Sequence, residues 1–304
     1  LEGVLEKDQG EVKLEFHSPY THLCVDSAIQ EDKLVLNKPL YVQLTPTEGL
    51  NKRLASFLPE LSSCIFSTHS PLSIEISEKG FSLPLYPLDF LSISAPTVRI
   101  ELGKIGCKSK GNLATILSLL QLSTLKKEHP LEIWFSPLEC GIEKGVFTLK
   151  RNDFLLDGRF HLCQWGSFNL LKNRGDFHLG VTSGCLRKAF SFKNLPEDYV
   201  LPLPFKKRND SSSFTIDHKK ATQKIGQLLL LEGINSENKD DLSSLWKEFV
   251  GKKPLLPDQG MAPPPLQNRF PWEIEEKSIE DKNVVKKEFH SEENPLKQFL
   301  KMFR

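Results

Sequence analysis

Hydrophobic and polar residues alternate along most of the first 205 residues of the chain. In the segment VKLEF, Val12, Leu14 and Phe16 alternate with charged residues, so their side chains would share one face of an extended strand. Turn-forming residues separate such segments, as is typical of short strands. The segments with this pattern, all predicted strands, are VKLEF, KLVL, PLYVQL, LSIEIS, GFSLPL, TVRIEL, EIWF and GVFTL.

Two short polar segments are predicted to form hairpin turns. SEKG follows Ile76, and KNRG precedes Asp176. Each ends in a glycine, which can supply the positive φ that such turns often need. Strands joined in this way are antiparallel, so the sheet is predicted to be mainly antiparallel.

One long alternating stretch begins at residue 154 and continues to residue 181. In an extended chain its apolar residues would form a stripe along one face, and residues 154–170 would span about 50 Å if unbroken. Gly158 and Gly166 are expected to mark bends or bulges that curl the sheet. Such a face must be covered by helices, another sheet or a ligand. The even-numbered stripe residues are Phe154, Leu156, Phe160, Leu162, Phe168 and Leu170.

Three amphipathic helices are predicted to cover one face of the sheet or its ends, which makes the fold class α+β. The first runs from Thr45 to Leu58, where Thr45 and Glu48 form a capping box. The second, NLATILSLLQL, starts after Gly111, and the third, HKKATQKIGQLLLLEG, is predicted to stop at Gly233. The apolar faces consist of Leu113, Ile116, Leu117 and Leu120 in the second helix and Ala221, Ile225, Leu228 and Leu229 in the third.

Composition divides the chain into three parts. Residues 1–250 are predicted to form a β-rich domain that ends in helices. Residues 251–272 are rich in proline, which favours an extended linker. Residues 273–304 are highly charged and predict a partly disordered tail. Phe270 and Trp272 are large aromatic residues between the linker and the charged tail, and we expect them to dock on the domain.

Charge and cysteine content narrow the functional classes. The 304 residues carry a net charge of +1, so no global attraction to nucleic acid is expected. No apolar run reaches the roughly 18 residues of a spanning helix. The six cysteines include no CxxC pair, so we predict small buried side chains rather than a metal site, and spacing favours no disulfide pairing.

Motifs for catalysis are weak. GCKSKG has the glycine spacing of a phosphate-binding loop, but Asn112 and Leu113 stand where that loop needs lysine and serine or threonine. Asp157, Arg159 and His161 alternate as expected for a solvated strand face. We therefore expect a protein that is not an enzyme, with no catalytic residues, cofactor or metal.

The order of these elements resembles the C-terminal part of AsmA-like bacterial envelope proteins, which include the TamB-related proteins. The resemblance covers roughly residues 34–231. It is strongest in residues 136–147, in the long strand that follows and in LPEDYVLPLP at residues 195–204. In that family an inner-membrane anchor precedes a periplasmic sheet that curls into an apolar groove. The resemblance implies a periplasmic protein tethered to the inner membrane by a segment absent from this chain.

The function that the resemblance implies is non-enzymatic binding or guiding of phospholipid, or another apolar lipid, between bacterial membranes in outer-membrane biogenesis. The alternative is a structural or interaction module in envelope or outer-membrane protein assembly, with envelope assembly proteins as partners. In that case the chain's own helices or another polypeptide strand would fill the apolar face. The expected groove residues are the six even-numbered stripe residues together with Phe177 and Leu179.

Overall fold

The structure is a computed structural model. It describes residues 2–6, 9–45, 66–68, 71–86, 88–120, 130–172, 174–193, 195–207, 214–235 and 256–274. The predicted helix after Thr45, the predicted domain end at Val250 and the tail beyond Ile274 lie outside these residues.

Most of the described chain is β-strand, and all of the predicted strand segments contain strand. A 3-10 turn spans Phe90–Ser92. The strands are β1 Glu2–Glu6, β2 Gln9–His17, β3 Thr21–Gln30, β4 Lys33–Leu36, β5 Leu40–Leu44, β6 Phe66–Thr68, β7 Leu72–Ile76, β8 Leu83–Pro84, β9 Ala95–Glu101, β10 Lys104–Cys107, β11 Leu131–Phe135, β12 Leu138–Glu143, β13 Val146–Leu156, β14 Phe160–Asn169, β15 Arg174–Thr182, β16 Val200–Lys207 and β17 Phe214–Ile216. The helices are α1 Gly111–Leu119, α2 Ser183–Phe190 and α3 His218–Asn235.

Neighbouring strands of the sheet are mostly neighbours along the chain. The path β1-β2-β3-β5-β7-β9-β12-β13-β14-β15-β16-β17 is antiparallel at every step. β10 pairs with β11 while β9 pairs with β12, so these segments are the two halves of bent strands. Within the described chain β1 and β17 do not pair, and the sheet is open. The predicted α+β class with a curled, mainly antiparallel sheet is confirmed.

Residues 154–170 form parts of two strands rather than one. The chain reverses at Asp157 and Gly158, whose φ angles are 52° and 61°. Leu156 pairs with Phe160 across this turn. Since three residues separate the pair, even-numbered residues of both strands stay on the same face. The predicted bend at Gly158 is confirmed, and the apolar stripe folds back on itself as a hairpin.

Gly166 marks a bulge, as predicted. It pairs with Leu149, whereas its neighbour Gln164 pairs with Asn152, so the register shifts between them. A Cβ atom at Gly166 would lie 2.3 Å from the carbonyl oxygen of Asp176. The close approach of β15 therefore requires glycine here.

The two predicted hairpin turns have different outcomes. KNRG joins β14 to β15, which pair as a hairpin. Gly175 has no positive φ, and its role is steric, because a Cβ there would lie 2.7 Å from the Phe168 ring. The hairpin prediction for SEKG is wrong: β7 pairs with β5 and β9, whereas β8 pairs with β4.

The buried faces of α1 and α3 mostly agree with the prediction, whereas the end of α3 differs from it. In α1, Leu113, Ile116 and Leu117 are buried as predicted. In α3 the predicted face is confirmed except at Leu229, which is 45% exposed. α3 also continues past Gly233 to Asn235. The sequence analysis did not predict α2, which begins where the Thr182 hydroxyl accepts a hydrogen bond from the amide of Cys185.

The described chain separates into two compact units, Leu1–Leu266 and Gln267–Arg304. The first unit includes residues 256–266 of the predicted linker. In the second, Phe270 and Trp272 stack with ring centroids 4.9 Å apart. Their docking on the domain stays a prediction. Among the described residues, no helix is both long and apolar enough to cross a membrane.

Candidate functional site

One apolar face extends across nearly the whole sheet. The strand register aligns apolar side chains in rows that run from strand to strand, perpendicular to the chain direction. One row consists of Phe16, Leu23, Val42, Ile74, Ile100 and Leu138. Another consists of Phe135, Phe154, Leu162, Val181 and Leu201. Charged and polar residues occupy the opposite face of β2 and β9, including Glu11, Lys13, Arg99 and Glu101.

The apolar face is closed over β11 to β17. Of the expected groove residues, six are buried in the main core: Phe154, Leu156, Phe160, Leu162, Phe177 and Leu179. Phe168 and Leu170 are half-buried. Side chains of α1, α2 and α3 belong to the same core cluster. We call β11 to β17 with these helices the closed half, because the chain's own helices cover most of the predicted stripe.

Contacts between helices and strands hold this cover in place. The Asn112 side-chain amide donates to the carbonyl oxygen of Phe214 at 2.7 Å, which links α1 to β17. Phe214 also contacts the rings of Phe168 and Phe177, with centroids 5.6 and 5.1 Å away. α2 packs against β14 and β15, and α3 packs against β16. Most residues of the stripe therefore form part of the hydrophobic core.

Among the described residues, the same face is less covered over β2 to β9. Phe16 is 50% exposed, and Leu23, Val42, Ile74 and Ile100 are half-buried. Ile74 and Ile100 also pack against the edge of the main core. We call these five residues the open row. They lie on five successive strands of the sheet, so the row is about 19 Å long at a strand spacing of about 4.8 Å. An apolar surface of this length beside a polar outer face is a candidate binding surface.

The sequence analysis did not identify the open row, because its candidate groove residues lie only in β13, β14, β15 and the turn between β14 and β15. The signal was present, because VKLEF and PLYVQL show the same alternation as the stripe. Their segments are shorter, and alternation alone does not distinguish a covered face from an uncovered one. Only the positions of the helices make that distinction.

A polar pair interrupts the core of the closed half. Asn152 and Gln164 pair across β13 and β14 and are buried among apolar residues. The Asn152 amide donates to the carbonyl and hydroxyl oxygens of Ser136, at 3.0 and 3.1 Å. Asn152 Oδ1 and both polar atoms of the Gln164 side chain have no hydrogen-bond partner. Unsatisfied buried groups of this kind cost stability.

Replacing Gln164 with leucine is expected to stabilise the fold. The change removes two unsatisfied polar atoms at nearly constant volume, so the free energy of unfolding should rise by about 1–2 kcal/mol. Chemical denaturation measures this change. Gln43→Leu, on the outer face of β5, is the matched control and should change stability by less than about 0.5 kcal/mol. A loss of stability in Gln164→Leu would indicate that the amide has a partner in solution.

The outer face of the closed half carries a buried charge network that the sequence did not predict. The Arg151 guanidinium forms an ion pair with Asp153 at 2.8 Å, and both side chains are buried. His161 Nε2 lies 2.9 Å from Asp153 Oδ1. Asp157 and Arg159 pair with each other in the exposed turn. The predicted solvated face therefore holds for Asp157 and Arg159, whereas His161 belongs to the network.

Four of the five cysteines that the structure describes are buried, as predicted. Cys107, Cys140, Cys163 and Cys185 are buried, whereas Cys24 is exposed. Burial raises the pKa of Cys140 and of Cys185 to about 12, which keeps these thiols protonated and unreactive at neutral pH. Within the described residues, no three His, Cys, Asp or Glu side chains are grouped so that they could hold a metal ion.

Comparison with known proteins identifies no family for this chain. No protein-family model, curated protein or solved structure matches it.

Proposed function

We propose that this chain is part of a periplasmic, AsmA-like envelope protein that binds or guides phospholipid without catalysis in outer-membrane biogenesis. The observation that carries the proposal is the open row, a continuous apolar surface on five neighbouring strands. We assign the groove to β2 to β9 rather than to the apolar stripe of the closed half, because the chain's own helices cover most of that stripe. The resemblance to AsmA-like proteins suggests the envelope and a membrane tether outside this chain.

The dimensions of the open row suit an acyl chain. One leaflet contributes about half of a bilayer's hydrocarbon thickness of about 30 Å, which is about 15 Å per acyl chain. The row is about 19 Å long by strand spacing. An acyl chain laid across the strands would therefore contact Phe16 at one end and Ile100 at the other. The polar outer face would remain in water.

The energetics favour transient rather than permanent binding. Each methylene group removed from water contributes about 0.8 kcal/mol, so ten methylenes contribute about 8 kcal/mol. Association itself costs about 4–15 kcal/mol. For a half-covered surface, the free energy gained by removing the acyl chain from water nearly equals the free energy cost of association. Weak, sliding contact of this kind is what guiding a lipid along a sheet requires.

Native mass spectrometry of the protein incubated with excess phospholipid tests the proposal, because a transient complex would not survive purification. We expect adducts of phospholipid mass on the wild type, and we expect Val42→Glu to remove most of them, because a carboxylate on the open row is costly beside an acyl chain. Gln43→Glu is the matched control, since this neighbouring half-buried residue points to the outer face. Its adducts should equal those of the wild type.

The outcome separates the two candidate functions. Absent adducts in a folded wild type would reject lipid binding and leave the interaction module, in which a polypeptide strand covers the open row. Equal loss of adducts in Val42→Glu and Gln43→Glu would also contradict the proposal, because it would place the lipid elsewhere on the protein.

A further inference from the structure

A proline-rich segment of the first compact unit lies across the outer face of the closed half. We call residues 256–266, LPDQGMAPPPL, the strap. Ala262 packs on a small apolar cluster formed by Cys163, Trp165 and Val200. This cluster lies on the face opposite to the main core. The strap therefore covers a second apolar surface, separate from the open row.

Three polar contacts hold the strap. The Arg151 guanidinium donates to the carbonyl oxygen of Pro263 at 2.8 Å, and the Tyr199 hydroxyl donates to that of Pro257 at 2.9 Å. Lys224 forms an ion pair with Asp258. Two of these contacts recognise backbone carbonyl oxygens of proline residues.

Groove residues beneath the strap are held by contacts that do not involve the strap. Arg151 is held by its buried ion pair with Asp153, and Trp165 stacks on His178 with centroids 5.5 Å apart. Two cavities of about 290 and 550 Å³ lie between this surface and the strap. Aromatic surfaces with fixed donors that read carbonyl oxygens are the usual means of recognising proline-rich chains.

We propose that this outer-face groove is a recognition site for proline-rich segments of partner proteins, and that the strap is its intramolecular occupant. The strap defines the preferred ligand: a carboxylate five residues before a run of three prolines, as in Asp258 and Pro263, with a small residue immediately before the prolines, as in Ala262. The inference goes beyond lipid binding, because it concerns a polypeptide ligand on the opposite face of the sheet.

The strap competes with such a partner through its tether. About twenty residues, 236–255, connect α3 to the strap. A covalent tether of that length gives an effective concentration on the order of millimolar. A partner segment must therefore bind more tightly than the strap, or the strap must first be weakened. This competition would restrict binding to partners that match the groove well.

The test uses the full chain and a synthetic peptide with the strap sequence LPDQGMAPPPL. The strap of the chain is weakened by Ala262→Asp together with Pro263→Gly, which leaves every groove residue intact. By fluorescence anisotropy, the labelled peptide should bind the weakened chain about tenfold or more tightly than the wild type, because the tethered competitor is gone. Peptides carrying Asp258→Asn or Ala262→Leu should bind several-fold more weakly than the parent peptide.

Groove variants locate the binding. In the weakened chain, Tyr199→Phe removes one carbonyl contact and should reduce peptide affinity several-fold, whereas Tyr41→Phe on β5 should leave affinity unchanged. No binding to a cooperatively folded weakened chain would overturn the proposal. Binding that is insensitive to Tyr199→Phe would overturn it as well.

A measurement on the unmodified chain remains decisive if the weakened chain fails to fold. The amide of Met261 donates to the carbonyl oxygen of Asp258 at 3.1 Å within the strap. Peptide at several times the effective concentration of about 1 mM should displace the strap and accelerate hydrogen exchange of its amides. Unchanged exchange at those concentrations would contradict the proposal.

Discussion

Replacing Leu162 with arginine is expected to unfold the protein or to leave it barely stable. Leu162 is fully buried in the closed half, between Phe154 on β13 and Val181 on β15. Arginine there would bury a charge without a partner, and the free energy of unfolding should fall by about 4 kcal/mol or more. Natural domains have only about 5–15 kcal/mol in total. Thermal unfolding followed by circular dichroism measures the loss.

Leu171→Arg is the matched control, because Leu171 lies in the turn after β14 and is 63% exposed. It should unfold at nearly the wild-type temperature. A cooperative, near wild-type transition in Leu162→Arg would contradict the closed half. In that case the stripe would be an accessible groove, as the sequence first predicted.

Replacing Asp153 with alanine is expected to have the second largest effect. The substitution leaves the buried Arg151 guanidinium without its carboxylate and removes the partner of His161. Breaking a buried pair from one side costs about 3–5 kcal/mol, because the remaining charge stays buried. Urea denaturation of the two proteins gives the difference directly.

Glu139→Ala provides the comparison on the same outer face. Glu139 pairs with Lys150 at 3.0 Å, and both side chains are substantially exposed. Removing an exposed pair should cost less than about 1 kcal/mol. Equal effects of Asp153→Ala and Glu139→Ala would mean that water reaches Arg151 in solution.

Alternation of apolar residues was sufficient to predict the sheet, because register and side-chain direction follow from a period of two. The same alternation could not locate the turn at Asp157 and Gly158. After a three-residue turn, the even-numbered residues of the second strand lie on the same face of the sheet as those of the first. The alternation of apolar and polar residues therefore continues across the turn without a break. The Asp157-Gly158 dipeptide was a local signal that could have located the reversal, because Asp-Gly favours a tight hairpin turn.

The closed half could not be derived from the sequence, because its cover depends on contacts between distant segments. α1 reaches β17 through Asn112 and Phe214, which are 102 residues apart. α2 was missed because SGCLRKAF is only eight residues long, although Cys185, Leu186, Ala189 and Phe190 follow helical spacing. Its Thr182 cap is a signal that could have located it.

Composition also failed to distinguish a free linker from a docked one. Proline prevents helix and central strand in residues 257–265, and this was correctly predicted from the sequence. Proline does not prevent docking on a surface that supplies hydrogen-bond donors. Those donors are the side chains of Arg151 and Tyr199. No local sequence pattern indicates that either residue holds the strap.

The most direct test of the account is to map where a lipid contacts the intact protein. A phospholipid with a photoactivatable group on its acyl chain would be bound, irradiated and located by peptide mass spectrometry. The account predicts labelling of the open row, at Leu23, Val42 and Ile74, with none on the buried residues Phe154 and Leu162. Labelling confined to β13 and β14, or no labelling of a folded protein, would contradict it.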